Sequence, residues 1–268
     1  MTIFGHLGPR ASRILVAAAV LASCRPAGDD RPRRDDAVVR AAPADEASTV
    51  KPAGAGEAEH RLAAAHAEAP ASAKPRLLVL GDSNVFGGFG TALEENLRAR
   101  GADVWLHGSC GASSVSFLRG IRSECGAVHH EPSAPTERVT GPAATPKIDS
   151  LLASVRPDAA VLVLGTNFLC CSAQAAPDVR ELVDRLAQAQ VPCLWVGLPS
   201  FKEPPSPALV RHYAMLEEAL ANKCTLLDAR SLGITFRHVG DKVHVEPESG
   251  RAWAEAVANA TFLLPTAR

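Results

Sequence analysis

Leu77-Leu78-Val79-Leu80-Gly81-Asp82-Ser83-Asn84 is an apolar run that stops at Gly81 and hands over to a polar loop. Four aliphatic residues without alternation describe a strand buried on both faces, as parallel strands are. In open α/β sheets ligands bind beyond the carboxyl ends of such strands, and that is where Ser83 falls. A serine hydroxyl alone is a weak nucleophile. It needs a base, a group that orients the base, and donors for the oxyanion that develops during attack.

Candidates for each lie farther along the chain. In Asp241-Lys242-Val243-His244 a carboxylate three residues before an imidazole can lie against the ring. It would then hold the tautomer whose free nitrogen faces Ser83. Gly165-Thr166-Asn167 ends a second apolar strand, Ala159 to Leu164, and offers the Asn167 side-chain amide. Gly108-Ser109-Cys110-Gly111 follows a third strand and offers the Gly111 backbone N–H.

These four blocks, in this order, resemble the SGNH hydrolases, also called the GDSL family, over roughly Arg76 to the C-terminus. The resemblance implies Ser83 as nucleophile, His244 as base with Asp241 as its orienter, and an oxyanion hole made by the Ser83 and Gly111 N–H groups and Asn167. It implies no metal and no organic cofactor. Asn84 stands where the family's older name has leucine. Ser83 is not framed by Gly-x-Ser-x-Gly, so the chain does not resemble the α/β-hydrolase elbow.

Outside these blocks, strands and helical stripes alternate. Thr91-Ala92-Leu93-Glu94 has the form of a capping box, with Leu93 and Leu97 on one face and Gly101 as the stop. Val104 to His107 reads as the next strand. Thr145-Pro146 reads as an N-cap with proline at the first helical position, ahead of a stripe of Ile148, Leu151, Leu152 and Val155. Val179, Leu182, Val183 and Leu186 form another stripe, before a strand over Pro192 to Val196. Ser206-Pro207 opens a helix to about Ala221, Cys224 to Leu227 is a strand, and a helix from about Glu248 to Phe262 closes the chain. The alternation predicts a three-layer α/β/α fold around a flavodoxin-like parallel sheet of five strands, in the order 2-1-3-4-5.

At 268 residues, 47% hydrophobic and with a formal net charge of -1, the chain suffices for one ordinary core and has no charge bias toward nucleic acid. Aromatic residues are only 4%, too few for a platform on which bases stack. Residues 1–24 read as an export segment: Arg10 and Arg13 precede an apolar run too short to span a bilayer. The run ends Leu21-Ala22-Ser23-Cys24, which resembles the lipobox of bacterial lipoproteins and implies cleavage before a lipid-bearing Cys24. Residues 25–74 are rich in Ala, Pro and charge with scarcely any large apolar side chain, the composition of a disordered tether. Residues 75–268 would then be the hydrolase domain. A monomer held at a membrane outside the cytoplasm is the expectation.

Six cysteines remain besides Cys24, an even number that permits disulfides in an oxidising compartment. Cys110 and Cys125 bracket a short excursion beside Gly111, and Cys193 and Cys224 lie near the starts of neighbouring strands. Both pairs are predicted to bridge. Adjacent Cys170 and Cys171 have three open fates: a vicinal bridge, free thiols, or a crossing to Cys125. His129-His130-Glu131 reads as a solvated loop rather than a metal site, and His107, His212 and His238 as packed or lining histidines. Ala112-Ser113-Ser114 suggests an open, hydrophilic approach.

The predicted activity is hydrolysis of carboxylic esters through an acyl-enzyme. An extracytoplasmic tether favours O-acetyl groups on glycans as substrates, with lipid esters open. An O-acyltransferase using the same triad and a non-catalytic binding lipoprotein are the alternatives. Acceptor-dependent product formation separates the first, and the presence of Ser83, Asp241 and His244 together argues against the second.

Overall fold

The computed structural model describes residues 74–241 and 243–264. The export segment, Cys24 and all but the last residue of the tether lie outside the described residues. The Leu77–Leu80 run does form a buried strand, β1 (Arg76–Gly81), with Leu78, Val79 and Leu80 fully inaccessible to solvent. It pairs in parallel with β2 (Asp103–Ser109) on one side and β5 (Ala159–Val163) on the other. Beyond β5 follow β6 (Cys193–Val196) and β7 (Thr225–Leu227), also parallel. These five strands stand in the order read from the sequence.

The sheet nevertheless has seven strands, not five, because an antiparallel pair extends the β2 edge: β3 (Ala127–His130) and β4 (Glu137–Val139). His129 and His130 therefore lie within a strand, and only Glu131 is beyond its end. Ala-Val-His-His and Glu-Arg-Val carry neither an apolar run nor a two-residue alternation, so no strand was legible there. Polar, charged residues on a short outer strand also discourage edge-to-edge pairing.

Successive side chains of a strand point to opposite faces, which sorts the core into two layers. Leu78, Leu80, Ala160 and Leu162 face one side, where they meet α3 (Ser114–Arg119), α4 (Ile148–Val155), α5 (Ser172–Gln188) and α6 (Pro207–Leu220). Leu77, Val79, Val161 and Val163 face the other, against α2 (Gly88–Ala99) and α7 (Pro247–Thr261). With so few rings, aliphatic burial dominates. Leu93 and Leu97 of α2 are wholly buried, each worth about 1.5–3 kcal/mol relative to exposure. Trp253 of α7 stacks on Phe89 with centroids 4.2 Å apart.

Two helix starts differ from the sequence reading. Helix α2 begins at Gly88 behind Gly87, which places Thr91-Ala92-Leu93-Glu94 inside the helix rather than at its cap. The turn carrying Ser83 ends at Gly87, and the chain re-enters helix at once. Helix α4 begins at Ile148, and Thr145 is buried with its hydroxyl donating to Ser109 Oγ at 3.3 Å. That side chain is spent on tying the loop to β2, not on a helix end. Ser206-Pro207 does cap α6, the serine Oγ accepting from the Leu209 N–H at 3.2 Å.

Both predicted disulfides are formed. Cys110 and Cys125 have Cα atoms 5.5 Å apart, and Cys193 and Cys224 4.9 Å, within the reach of a bridge. A loop of about fifteen residues closed in this way is worth roughly 3 kcal/mol of unfolded-chain entropy. Because Cys125 is taken by Cys110, it is not available to Cys170 or Cys171, whose sulfurs lie 3.5 Å from each other.

Candidate active site

Ser83 opens α1 (Ser83–Phe86), a single helical turn laid across the carboxyl ends of β1 and β2. The turn sits low because Gly108 of β2 leaves room for it: a Cβ there would be 2.7 Å from the Phe86 N and 2.8 Å from the Val85 carbonyl carbon. Asp82 precedes the turn as its N-cap, its Oδ1 accepting from the Asn84 N–H at 2.9 Å. That carboxylate is fully buried, and burial raises its pKa against the opposing pull of hydrogen bonds from Asn84 and Thr166. A buried carboxylate without such donors would be costly. Here Asn84 Nδ2 donates both to Asp82 Oδ1 and to Thr166 Oγ1, at 3.0 Å each, and the Thr166 N–H reaches Asp82 Oδ2 at 3.3 Å.

This Asp82–Asn84–Thr166 network gives position 84 a purpose that sequence reading missed. Asn84 is buried and joins the Ser83 turn to the loop after β5, which a leucine cannot do by hydrogen bonding. The only hint in the sequence was a polar residue directly after an apolar strand and its serine.

His244 approaches from the far end of the chain. Its Nε2 lies 2.8 Å from Ser83 Oγ, and its Nδ1 lies 2.6 Å from Asp241 Oδ2. A carboxylate only accepts, so Nδ1 carries the proton and donates it to Asp241. Nε2 then presents a lone pair to the Ser83 hydroxyl, which donates to it. Asp241 Oδ1 accepts from the Val243 and His244 N–H groups at 2.9 and 3.0 Å, so one carboxylate shapes the turn and orients the ring. Partial burial works to raise the Asp241 pKa. The bonds from the His244 ring and the His244 and Val243 N–H groups outweigh it and hold the carboxyl at about 2.

Asn167 follows β5 in a 3₁₀ turn over Thr166–Cys171, and its Nδ2 donates to the Ala112 carbonyl at 2.9 Å. An amide nitrogen carries two hydrogens, so this bond fixes the side chain and leaves the second N–H to a ligand. The same bond brings the 3₁₀ turn against the loop that holds Gly111, which is exposed. Ser113 and Ser114 begin α3, with the Ser113 N–H donating to Ser116 Oγ at 3.1 Å, and Ser114 is buried. That stretch is helix start rather than the open approach expected of it.

Beside the serine lies a cleft of about 380 Å³ that Asn84, Thr166 and Val243 flank. Its walls include Leu198, Leu209 and Phe201, and His238 also lines it. His107 is buried, its Nδ1 2.9 Å from His129 Nδ1 across β2 and β3. Burial and the neighbouring His129 depress its pKa to about 3. His212 is buried against Ser172, and burial lowers its pKa to about 4. Among the described residues no group of three or more His, Cys, Asp and Glu is placed to hold a metal ion.

No protein-family model matches the chain. Protein BcsX of Komagataeibacter xylinus is 26% identical over 202 residues, spanning 69% of this chain and 76% of the relative. Among solved structures, the acetyl xylan esterase AlAXEase has a TM-score of 0.51 at 15% identity, over 69% of this chain and 98% of its own. LAE5, an alpha/beta hydrolase enzyme from the metagenome of Lake Arreo in Spain, has a TM-score of 0.53 at 14% identity, over 73% and 98%. A variant acetyl esterase solved with acetate ion has a TM-score of 0.50 at 11% identity, over 70% and 96%. What the chain shares with these proteins is the fold, a central sheet covered by helices on both faces.

Proposed function

We propose that the protein is an extracytoplasmic serine esterase acting through an acyl-enzyme on Ser83, with O-acetyl groups on glycans as its substrate class. The observation that carries this reading is the unbroken chain from Ser83 Oγ to His244 Nε2 at 2.8 Å and from His244 Nδ1 to Asp241 at 2.6 Å. His244 takes the Ser83 proton as Oγ attacks the ester carbonyl carbon. The tetrahedral oxyanion sits among the Ser83 and Gly111 N–H groups and the second N–H of Asn167. As the C–O bond breaks, His244 returns the proton to the leaving alcohol. Water, deprotonated by His244 in turn, attacks the acyl-enzyme and releases the acid and free Ser83. Asp241 stays ionised throughout, which its low pKa favours.

An acetyl substrate is supported by the folds of an acetyl xylan esterase and an acetyl esterase holding acetate. The cleft of about 380 Å³ is far roomier than an acetyl group needs and has space for part of the alcohol component. Two disulfides suit an oxidising compartment, which supports export; anchoring through Cys24 rests on Leu21-Ala22-Ser23-Cys24 alone. The test is a panel of p-nitrophenyl acetate, longer acyl esters and acetylated xylan with the purified protein. Hydrolysis should be fastest for p-nitrophenyl acetate and fall as the acyl chain lengthens, with acetate released from acetylated xylan. Product that forms only when a sugar acceptor is added would assign a transferase instead. Mass spectrometry of the mature N-terminal peptide should find Cys24 carrying lipid, and an unmodified Cys24 removes the anchor.

A further inference from the structure

A single helical turn has little stability of its own, so whatever holds α1 also holds Ser83 in place. Its N-terminal end is fixed by the buried Asp82. Its C-terminal end carries an orphan carbonyl, that of Phe86, and this carbonyl is met from the antiparallel pair that the sequence did not reveal. Arg138 of β4 donates from Nη1 to the Phe86 O at 2.6 Å, and its guanidinium lies over the Phe86 ring, 4.7 Å from the centroid. A carboxyl oxygen accepting at the start of the turn and a guanidinium donating at its end satisfy both ends of its backbone.

Arg138 stands in register with the site. It pairs with Val128, which pairs with Gly108, which pairs with Gly81, the last residue of the strand leading to Ser83. From the other side, Phe86 packs against Gly126, where a Cβ would lie 3.1 Å from the ring. The segment leading into β3 is itself anchored to the Gly111 loop. The Cys110–Cys125 bridge joins them, the Cys110 N–H donates to the Gly126 O at 2.9 Å, and Ser123 Oγ lies 2.7 Å from the Cys110 O and 2.9 Å from the Gly126 O. One outer hairpin therefore touches both the serine turn and the loop that carries an oxyanion donor.

We infer that Arg138 is a positioning residue for the reaction: it clamps the Phe86 end of the Ser83 turn to the β3–β4 hairpin and so sets the direction of the Ser83 hydroxyl. The inference rests on the reading of Ser83 as nucleophile. Its mark is on reactivity, not on substrate binding, because Arg138 reaches the turn from its far end. Without the clamp Ser83 and His244 spend less time in line, and misplacement of this kind costs about ten- to a hundredfold.

The full chain should be reacted with a fluorophosphonate, which labels an activated serine, and the rate of Ser83 labelling followed by peptide mass spectrometry. R138A should be labelled about tenfold or more slowly than wild type. Its kcat on p-nitrophenyl acetate should fall by the same factor with KM unchanged and the unfolding midpoint within about 2 °C. R138K restores a donor to the Phe86 carbonyl without the planar stack and should recover part of the rate. R138A labelled as fast as wild type, or a loss in both variants that tracks the unfolded fraction, overturns the inference alone. A wild-type chain that is not labelled on Ser83 overturns the esterase reading and the clamp with it.

Discussion

Ser83 stands on a turn packed over strand ends, with a buried carboxylate at one end and an arginine at the other, whereas His244 stands on an exposed segment shaped by its own neighbours. On the serine side the geometry comes from close approach: Gly108 beneath the turn, Asn84 tied to Thr166, and the wholly buried β1 leading in. On the histidine side it comes from a few local hydrogen bonds. Asp241 accepts from two N–H groups and the ring, while the Val239 N–H donates to the His244 O at 2.9 Å and the Glu246 N–H to the Arg237 O at 2.8 Å. The difference separates stability from chemistry. Changes on the histidine side should cost rate and spare the fold, and changes beneath the serine should cost both.

Asp241→Asn is the sharpest probe of the histidine side. An asparagine carbonyl still accepts from the Val243 and His244 N–H groups, but the charge that selects the ring tautomer is gone. A loss of about 10³–10⁴ in kcat is expected, with the thermal midpoint lowered by no more than a few degrees, because the lost charge is partly exposed. A midpoint that drops by many degrees would mean that this segment, too, supports the core.

Acid should act in the opposite way, on the fold. His107 and His212 are held neutral at about 3 and about 4, below the ordinary 6.5 that they regain on unfolding. The unfolded chain therefore binds protons that the folded chain does not, and stability present above pH 6.5 is lost as pH falls toward those values. Each histidine contributes a slope of roughly 1.4 kcal/mol per pH unit. Urea midpoints at pH 7, 6 and 5 should fall steadily, and a flat profile would show that neither ring stays neutral in the folded chain.

Asn167→Ala lies between the two sides. With Asn167 donating to the oxyanion as proposed, its removal should lower kcat by about 10²–10³, or 2.7–4 kcal/mol, with KM nearly constant. Loss of its bond to the Ala112 carbonyl adds a modest destabilisation of about 1 kcal/mol. If kcat per folded molecule were unchanged, Asn167 would be only a loop tie. The smallest effect in free energy is expected beneath the serine. Gly108→Ala pushes a methyl group into the Phe86 N, and overpacking of this kind costs about 1–3 kcal/mol, with activity and thermal midpoint falling together. Activity lost at full stability would contradict the coupling.

What the sequence made legible follows the same division. β1 is an uninterrupted aliphatic run and announced itself without tertiary knowledge, whereas Asp-x-x-His alone reads as a surface turn and took meaning only beside the Ser83 and Asn167 blocks. The five parallel strands were legible from their apolar runs, although only β1, β5 and β6 are buried along nearly their whole length and Thr225–Leu227 at the edge is partly exposed. The β3–β4 pair was not legible, because Val128 is its only large buried aliphatic residue and its outer strand is charged. Arg138 was invisible with it: an exposed arginine on an edge strand differs from its polar neighbours only in what it touches. Asn84 and Thr166 escaped because a hydrogen bond between residues 82 apart leaves no periodic trace. Thr145 looked like a cap because threonine before proline commonly is one, and only the fold shows its hydroxyl turned to Ser109.

The central claim is that Ser83 forms a covalent acyl-enzyme with His244 as its base. The direct measurement is mass spectrometry of peptides from protein quenched in acid within milliseconds to seconds of mixing with p-nitrophenyl acetate. The account predicts a single acetyl group on the peptide containing Ser83, absent from Ser83→Ala and formed far more slowly in His244→Ala. Hydrolysis that persists at the wild-type rate in Ser83→Ala, or an acetyl group accumulating on another residue while Ser83 stays unmodified, would contradict it.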